Sequence, residues 1–279
     1  MKDLRDKVMV VTGAASGIGR ELAVLGAERG AALALTDVNE EGLAETAAKV
    51  EALGARVHTA VVDVSDREAV YAHRDEVLLH FGRADVVINN AGVALSDTVQ
   101  DTSYEDFEWL MGINFWGVVY GTKAFLDHMI ERDDGVIVNI SSVFGLMGVP
   151  TQSAYNASKF AVRGFTEALR QELSGTNVLA TSVHPGGIKT NIIRNGRMHV
   201  NTISARRSVD TMVDDFERGA RTTAPEAART ILDGVAARSP RILIGQDAQM
   251  IDAMVRLFPS TYDGALKTAT KAIRKLNGK

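Results

Sequence analysis

The feature that most constrains the fold is a repeated alternation of short apolar runs with longer helical segments. The first run, Val8–Thr12, is rich in β-branched residues and is followed by a glycine turn and a helix. The pattern recurs along the chain, with further strands predicted at 31–36, 57–62, 85–89, 136–140, 178–183 and 241–244. Such alternation predicts an α/β fold: a doubly wound, mostly parallel sheet between two layers of helices. Near-continuous apolar strands agree with burial on both faces.

Composition and charge narrow the classes of protein to which the chain can belong. Its 279 residues are 46% hydrophobic and 24% charged, which suits one large globular domain. The net charge of −4 provides no basic field, so no nucleic-acid partner is expected. The absence of cysteine excludes disulfides, thiolate metal sites and a cysteine nucleophile, and fits a cytoplasmic protein. His, Asp and Glu do not occur at metal-ligand spacings, so no metal is expected.

The two ends of the chain carry little sign of membrane association. No apolar run approaches the roughly 18 residues that a membrane-spanning helix needs, and the charged start of the chain is unlike a signal peptide. Residues 264–276 are predicted to form a basic amphipathic helix, which lies on an anionic membrane, packs against a subunit or frays as a chain terminus. Its narrow, alanine-rich apolar side favours packing or fraying over membrane binding. We predict one domain at 1–246 and a helical extension at 247–279.

Polar, small or turn residues follow six of the predicted strands. Ligands of open parallel sheets bind beyond the carboxyl ends of the strands, so a binding site is expected where these residues meet. They are Thr12 with Gly13, Asp37, Asp63, Asn90, Ser142, and Pro185 with Gly186.

The first of these strand ends has the composition of a dinucleotide site. Gly13, Gly17 and Gly19 lie between the first strand and its helix, where glycine allows backbone N–H groups to approach a pyrophosphate. Asp37, at the end of the second strand, can accept hydrogen bonds from ribose hydroxyls and would repel a 2′-phosphate. Val38 follows Asp37 where an arginine would suit that phosphate. The pattern therefore favours NAD over NADP.

A second constellation has the residue types of alcohol–ketone chemistry. Tyr155 and Lys159 are four residues apart and so share one helical face, and Ser142 ends a strand thirteen residues before Tyr155. An ammonium near a phenol is expected to lower the phenol pKa, which would make Tyr155 a usable general base. Alternation places Ser141 and Ser142 on opposite faces, so only one of them can face the site, and the thirteen-residue spacing from Tyr155 selects Ser142.

Together these features resemble the short-chain dehydrogenase/reductase family. The matching stretches follow the family's order over residues 7 to about 190: Thr12-Gly-Ala-Ala-Ser-Gly-Ile-Gly19, Asp63-Val64, Asn89-Asn-Ala-Gly92, Asn114, Ser142, Tyr155-x-x-x-Lys159 and Pro185-Gly-Gly-Ile-Lys-Thr190. The resemblance implies a Rossmann-type domain with strand order 3-2-1-4-5-6-7 and a homotetramer or homodimer. It also implies a substrate lid of variable sequence at 191–223.

The resemblance further implies individual roles. Tyr155 is the catalytic acid/base, Lys159 holds the nicotinamide ribose and lowers the tyrosine pKa, Ser142 binds the substrate oxygen, and Asn114 supports a water in a proton relay. Asp63 and Val64 meet the adenine, Asn90 to Gly92 the adenosine ribose side, and Ile188 and Thr190 the carboxamide. The complete predicted cofactor set is Gly13, Ser16, Gly17, Ile18, Gly19, Asp37, Asp63, Val64, Asn90, Ala91, Gly92, Tyr155, Lys159, Pro185, Gly186, Ile188 and Thr190.

The substrate is predicted only by class. Apolar residues surround the catalytic positions, which suits a hydrophobic secondary alcohol or ketone, although each of them singly also fits an ordinary core: Val93, Ala94, Leu95, Val143, Phe144, Leu146, Met147 and Val149. Four arginines in the lid either contact an acidic group or, the favoured interpretation, form a solvated face: Arg194, Arg197, Arg206 and Arg207.

The leading hypothesis is an NAD-dependent oxidoreductase acting on such an alcohol or ketone. An NADP-dependent 3-ketoacyl-type reductase is the alternative within enzymes, and Asp37 argues against it. A dinucleotide-sensing binding protein without turnover is the alternative from another class. Such proteins tend to lose the tyrosine or the lysine, and this chain has both Tyr155 and Lys159.

Overall fold

The protein is described by a computed structural model that covers residues 4–199 and 219–264. The strands are β1 (Val8–Thr12), β2 (Ala32–Asp37), β3 (Val57–Val61), β4 (Val86–Asn89), β5 (Leu95–Ser96), β6 (Gly135–Ile140), β7 (Val178–Pro185), β8 (Ile188–Lys189), β9 (Arg197–Met198), β10 (Thr222–Thr223) and β11 (Arg241–Ile244). The helices are α1 (Gly17–Glu28), α2 (Glu40–Ala52), α3 (Arg67–Phe81), α4 (Tyr104–Met111), α5 (Gly117–Glu131), α6 (Ser153–Glu172), α7 (Ala224–Ala236) and α8 (Gln246–Leu257).

Seven strands form one parallel sheet in the order β11-β7-β6-β4-β1-β2-β3. Counted along the chain, this is the predicted order 3-2-1-4-5-6-7, which is confirmed. The winding direction reverses between β1 and β4, so the ends of these two strands flank a topological switch point, where ligands of such sheets bind. Two short parallel ladders, β5 with β9 and β8 with β10, lie outside this sheet.

The sheet is buried on both faces because alternate side chains of its strands enter two separate cores. In β1, Met9 and Val11 pack in one cluster with Leu22 of α1 and Ile231 of α7. The intervening residue Val10 belongs to the other cluster, with residues of α3 and α5. A strand that is apolar at every position thus serves both layers, as its sequence predicted.

Side-chain caps explain where several helices begin. Asn39, Asp66 and Ser103 each accept a backbone N–H at the start of α2, α3 and α4. Thr223 starts α7 with a reciprocal capping box with Glu226. The helix α1 begins at Gly17, so the Gly17-Ile-Gly19 stretch belongs to its first turn.

The helical stretch from Tyr104 to Glu131 is interrupted by a π-helical segment, Gly112–Trp116, between α4 and α5. Such an insertion re-aims one side chain and is frequent at functional sites. Here the segment contains Asn114, a residue type that is unfavourable in a regular helix.

Two predictions fall mainly on residues that the structure does not describe. The amphipathic helix at 264–276 lies outside the described residues except for Gly264, and the lid at 191–223 is described only at 191–199 and 219–223. Among the described residues, 4–199 and 219–264, no helix is long and apolar enough to cross a membrane.

Candidate active site

A cavity of about 1110 Å³ lies along the carboxyl edge of the sheet, where the sequence predicted a site. It exceeds the roughly 300–1,000 Å³ typical of a pocket for one small ligand. Nearly all predicted cofactor residues line it, namely Gly13, Ser16, Gly17, Ile18, Asp37, Asp63, Val64, Asn90, Ala91, Gly92, Tyr155, Lys159, Pro185, Gly186, Ile188 and Thr190. Gly19 lies behind the wall, where a Cβ would be 2.0 Å from the Gly13 carbonyl oxygen. Gly19 therefore allows α1 to pack closely against the turn, where a side chain would clash.

The glycine turn forms one end of the cavity and fits a pyrophosphate. Gly13 and Gly17 have positive φ angles of 68° and 52°, and a Cβ on Gly13 would lie 2.8 Å from the Ala91 Cα. Ser16 occupies the N-cap of α1, and its side chain accepts no cap hydrogen bond within the described part of the chain. The first N–H groups of α1 are thus left for an anion, as in other dinucleotide sites.

The predicted adenosine end is organised by Asp37 at the end of β2. One oxygen of its carboxylate accepts a hydrogen bond from the Ala15 N–H at 2.9 Å, and the other accepts one from the Asn39 N–H at 3.0 Å. The carboxylate therefore fixes the glycine turn while it lines the cavity. Val38 follows it with 65% of its surface exposed.

The switch point is closed by reciprocal hydrogen bonds between Thr12 and Asn90. The Thr12 hydroxyl oxygen accepts the N–H groups of Asn90 and Ala91, both at 3.0 Å. In return, the Asn90 amide donates to the carbonyl oxygens of Thr12 and Gly13, at 2.9 and 3.2 Å. These bonds hold the turns after β1 and β4 side by side.

The phenol, hydroxyl and amine predicted to act together converge on one wall of the cavity. The Ser142 hydroxyl lies near enough to the Tyr155 phenol to lower its pKa, and it accepts the Phe144 N–H at 3.1 Å. Lys159 Nζ lies 5.6 Å from the centroid of the Tyr155 ring and donates to the Ile140 carbonyl oxygen at 3.0 Å. The helix α6 and the end of β6 thus bring the three side chains together.

The electrostatics of this cluster differ from the expectation. Burial raises the pKa of the Tyr155 phenol to about 12, and the nearby Ser142 hydroxyl opposes that rise. Burial also lowers the pKa of Lys159 to about 8. The prediction that Lys159 lowers the Tyr155 pKa below its ordinary value is therefore wrong for this structure. The loss of water around the phenol outweighs the attraction of an amine that is itself desolvated.

Asn114 lies behind the cavity wall rather than in it. Its side chain is completely buried, accepts the Val93 N–H at 2.8 Å and donates to the Val93 carbonyl oxygen at 2.9 Å. The same amide approaches the Ser158 hydroxyl at 3.4 Å. Asn114 thus fixes the chain just beyond Gly92, and the π-helical segment is what turns its side chain towards that loop.

A second shell of buried groups, not predicted from the sequence, supports the cluster. Ser141 donates its hydroxyl proton to the Lys159 carbonyl oxygen at 2.8 Å. His184 is fully buried, with Nδ1 3.2 Å from the Ser142 carbonyl oxygen and Nε2 3.2 Å from the Ser182 hydroxyl. Because a carbonyl oxygen only accepts, Nδ1 carries the proton and Nε2 accepts from Ser182. Burial lowers the pKa of His184 to about 4.

The substrate end of the cavity is largely apolar. Six of the eight predicted apolar residues line it: Val93, Ala94, Val143, Phe144, Met147 and Val149. Leu95 and Leu146 are instead buried core residues, with 1% and 3% exposure. The lining also includes three residues of the predicted lid, Ile192, Ile193 and Met198. Sequence reasoning missed three other lining residues, because they come from distant segments with no local signal: Trp109, Asp247 and Ile251.

The described part of the predicted lid is attached to α4. Arg197 forms an ion pair with Asp106 at 2.5 Å and lies over the Trp109 ring, 4.0 Å from its centroid. His199 approaches the same carboxylate at 3.0 Å. Arg197 therefore contacts an acidic group of the protein itself, while its side chain stays 39% exposed to solvent as the favoured interpretation expected. Arg206 and Arg207 lie outside the described residues.

Comparison with known proteins agrees with this geometry. The sequence profile described as short chain dehydrogenase matches residues 7–201, more than half of the chain. The chain belongs to the short chain dehydrogenase family. Members of this family are oxidoreductases that act on alcohols and ketones, and that class of activity applies here.

Three similar proteins place the chain within the short chain dehydrogenases. It is 49% identical over 265 residues to the putative oxidoreductase SadH of Mycobacterium tuberculosis, covering 94% of each protein. It is 40% identical over 190 residues to the cyclopentanol dehydrogenase of Comamonas sp., covering 68% of this chain and 76% of that one. A short chain dehydrogenase/reductase from Burkholderia phymatum, solved in complex with NAD, has a TM-score of 0.86 at 32% identity, covering 94% and 96% of the two chains.

Proposed function

We propose that the protein interconverts a small hydrophobic secondary alcohol and its ketone, with NAD as the redox cofactor. The observation that carries this proposal is that Ser142, Tyr155 and Lys159 meet on one wall of a cavity whose far end is the glycine turn. When bound, the nicotinamide supplies the hydride acceptor or donor. The protein supplies the placement of the alcohol oxygen and the movement of its proton.

Tyr155 is proposed as the acid/base. Its hydroxyl is the titratable group of the cluster that faces the cavity, and it takes the alcohol proton in oxidation or returns it to the ketone oxygen in reduction. With a pKa near 12, the neutral phenol dominates at pH 7 and is ready to donate. The Ser142 hydroxyl orients the substrate oxygen beside it.

Lys159 and Asn114 are proposed to act on either side of the tyrosine. With a pKa near 8, Lys159 is mostly an ammonium at pH 7, so it favours the phenolate as the proton leaves and can bind the ribose hydroxyls of the cofactor. Asn114 is a positioning residue in this proposal, since it holds Val93 and lies within 3.2 Å of where a Cβ on Gly92 would be.

Asp37 supports NAD rather than NADP. Its carboxylate lines the adenosine end of the cavity, where it would repel a 2′-phosphate, and no arginine or lysine adjoins it in sequence to offset that repulsion. The same feature disfavours the NADP-dependent 3-ketoacyl-type reductase considered above.

The walls around Tyr155 support a compact apolar substrate. The Phe144 ring stands edge-on to the Tyr155 ring, with centroids 5.9 Å apart, and Trp109 and Met147 line the same space. The name of the Comamonas relative, cyclopentanol dehydrogenase, suggests a cyclic secondary alcohol as the first compound to try.

Self-association is also proposed, as a homotetramer or homodimer. Trp116 and Phe160 expose 47% and 41% of their surfaces on the helical layer around the π-helical segment and α6. Exposed aromatic residues are frequent in subunit interfaces. Light scattering coupled to size-exclusion chromatography tests this, and a monomer at micromolar concentration would contradict it.

The test of the function is turnover with a panel of cyclic and linear secondary alcohols, with NAD⁺ and NADP⁺ compared. We expect NADH formation with at least one apolar alcohol, and a loss of about 10²–10⁴-fold in kcat for Tyr155→Phe. Tyr104→Phe is the matched control, because this tyrosine is 89% exposed on α4 and should leave turnover unchanged. Near-normal turnover of a folded Tyr155→Phe variant would refute the proposed acid/base.

A further inference from the structure

A second cluster of chemically active side chains lies between the edge strand β3 and helix α3. His58 is the second residue of β3, near the amino end of the strand, whereas the cavity described above lies beyond the carboxyl ends of the strands. His73 and Glu76 are three residues apart on α3 and therefore share a face of that helix. The fold brings this face against His58.

The three side chains are close enough to share one ligand. One donor atom from each of His58, His73 and Glu76 lies within 4.8 Å of the others. His58 Nε2 is 3.2 Å from the Glu76 carboxylate, and the two imidazole rings are stacked with centroids 6.0 Å apart and planes 11° from parallel. The donors thus converge on one point between the strand and the helix.

His73 is the side chain that the protein alone does not satisfy. It is 4% exposed, and neither of its ring nitrogens has a hydrogen-bond partner among the described residues. Buried polar atoms are nearly always paired, so an orphan of this kind needs an explanation. A neutral imidazole ring keeps the lone pair of one nitrogen free to bind a ligand.

We propose that His58, His73 and Glu76 bind a divalent transition-metal ion of the Zn²⁺ type. Two imidazole nitrogens and one carboxylate oxygen form a donor set that such ions prefer, whereas Mg²⁺ and Ca²⁺ prefer oxygen ligands throughout. A metal ion would satisfy the buried His73 and would leave its outer coordination positions to water, on the side where Glu76 is half-exposed.

A metal ion at this site would stabilise the fold and would take no part in the redox reaction. Within residues 4–199 and 219–264, β3 is the last strand of the sheet and pairs only with β2. A metal ion bound by His58 of β3 and by His73 and Glu76 of α3 would link this edge strand to the helical layer. Because the ion binds the folded chain, it raises the stability of the fold.

Sequence reasoning missed this cluster and predicted no metal. Its members are separated by the whole segment between β3 and the middle of α3, and only the pair on α3 has a helical spacing. His58 comes close to this pair only because α3 packs against the edge of the sheet, and no local sequence pattern predicts that packing.

The experiment is calorimetric titration of untagged, chelator-treated protein with ZnCl₂, with MgCl₂ as the negative control. We expect one saturable Zn²⁺ equivalent and no Mg²⁺ binding. Glu76→Gln and His58→Gln should each weaken Zn²⁺ binding by at least about tenfold. Glu76 is exposed, so its variant folds independently of core packing. His80→Gln is the matched control: its ring lies 5.4 Å from that of His58, outside the proposed ligand set.

Thermal unfolding gives a second readout. Zn²⁺ should raise the Tm of the wild type and of His80→Gln, and at the same Zn²⁺ concentration it should raise the Tm of Glu76→Gln by less. Failure of the wild type to bind Zn²⁺ saturably, or equal affinity of Glu76→Gln and wild type, would overturn the proposal. If His80→Gln lost as much Zn²⁺ affinity as His58→Gln, the assignment of the ligands would be overturned.

Discussion

The carboxylate of Asp247 accepts a hydrogen bond from the backbone N–H of Gly187 at 2.7 Å. This bond ties the start of α8 to the turn that follows β7, and a Cβ on Gly186 would lie 2.2 Å from the same carboxylate. Asp247 also lines the cavity. The segment predicted as an extension at 247–279 therefore contributes to the cavity with its first residue, although the domain boundary itself stays a prediction.

Asp247→Ala is expected to weaken cofactor binding more than it slows chemistry. Without the carboxylate, the Pro185-Gly-Gly turn loses a charge-assisted hydrogen bond worth about 1.5–3 kcal/mol, and the proposed carboxamide site at Ile188 and Thr190 loosens. We expect the KM for NAD⁺ to rise by roughly tenfold or more. Steady-state kinetics at saturating alcohol measure this. An unchanged KM in a folded variant would show that the turn is held in place without Asp247.

The cofactor preference should be reversible at the end of β2. In the double variant Asp37→Ala and Val38→Arg, the carboxylate that would repel a 2′-phosphate is replaced by a cation that attracts it. We expect the ratio of kcat/KM for NADP⁺ to that for NAD⁺ to increase by at least about 100-fold, equivalent to about 2.7 kcal/mol. The single variant Val38→Ala is the control.

A ratio that is the same in the double variant and the wild type would remove Asp37 as the proposed determinant. Asp37→Ala also deletes the hydrogen bond to the Ala15 N–H, so some loss of affinity for both cofactors accompanies the change. The ratio is for that reason the quantity to compare.

The parts of the site that could be predicted are those encoded within short stretches of sequence. The β-branched runs and the glycine turn determine the sheet and its carboxyl edge within short stretches of sequence. The spacing of Tyr155 and Lys159 within one helix likewise reports their shared face. These features were predicted, and the family and the strand order are confirmed.

The remaining features depend on packing between distant segments. Asp247 and Trp109 reach the cavity from elements with no motif of their own, while Leu95 turns into the core. The sign of the Tyr155 pKa shift depends on how much water the surrounding residues exclude from the phenol. The spacing of residues in the sequence does not predict that exclusion.

Acid should destabilise the protein partly through His184. An unfolded histidine titrates near pH 6.5, and burial lowers the pKa of His184 to about 4 in the folded state. Between these values the unfolded chain binds a proton that the folded chain does not. The stability from neutral His184 is therefore complete above pH 6.5 and falls as the pH drops towards 4.

At pH 5 this effect amounts to about 2 kcal/mol of unfolding free energy. Urea denaturation at pH 7 and pH 5 should show the His184→Gln variant losing less stability than the wild type by about that amount. Equal losses in the two proteins would mean that other groups cause the acid sensitivity. His80→Gln is the control, because that histidine is exposed on α3, away from the site.

The position of the loop that carries Phe144 and Met147 should depend on the buried side-chain amide of Asn156. Asn156 donates its two N–H groups to the carbonyl oxygens of Phe144 and Met147, both at 2.7 Å, and accepts the Val149 N–H at 3.0 Å. Asn156→Asp keeps the acceptor but points a carboxylate oxygen at two carbonyl oxygens. Each unsatisfied buried group costs about 1–3 kcal/mol, so the loop is expected to move away from its present position.

Because this loop lines the substrate end of the cavity, Asn156→Asp should raise the KM for alcohol more than the KM for NAD⁺, and should lower the Tm. Gln171→Glu makes the same amide-to-acid change on the same helix, at an exposed position remote from the loop, and is expected to alter none of these quantities. If both variants kept the wild-type KM for alcohol, the apolar wall around Tyr155 would not be shaped by Asn156. If both KM values rose equally in Asn156→Asp, the loop would serve the cofactor as much as the substrate.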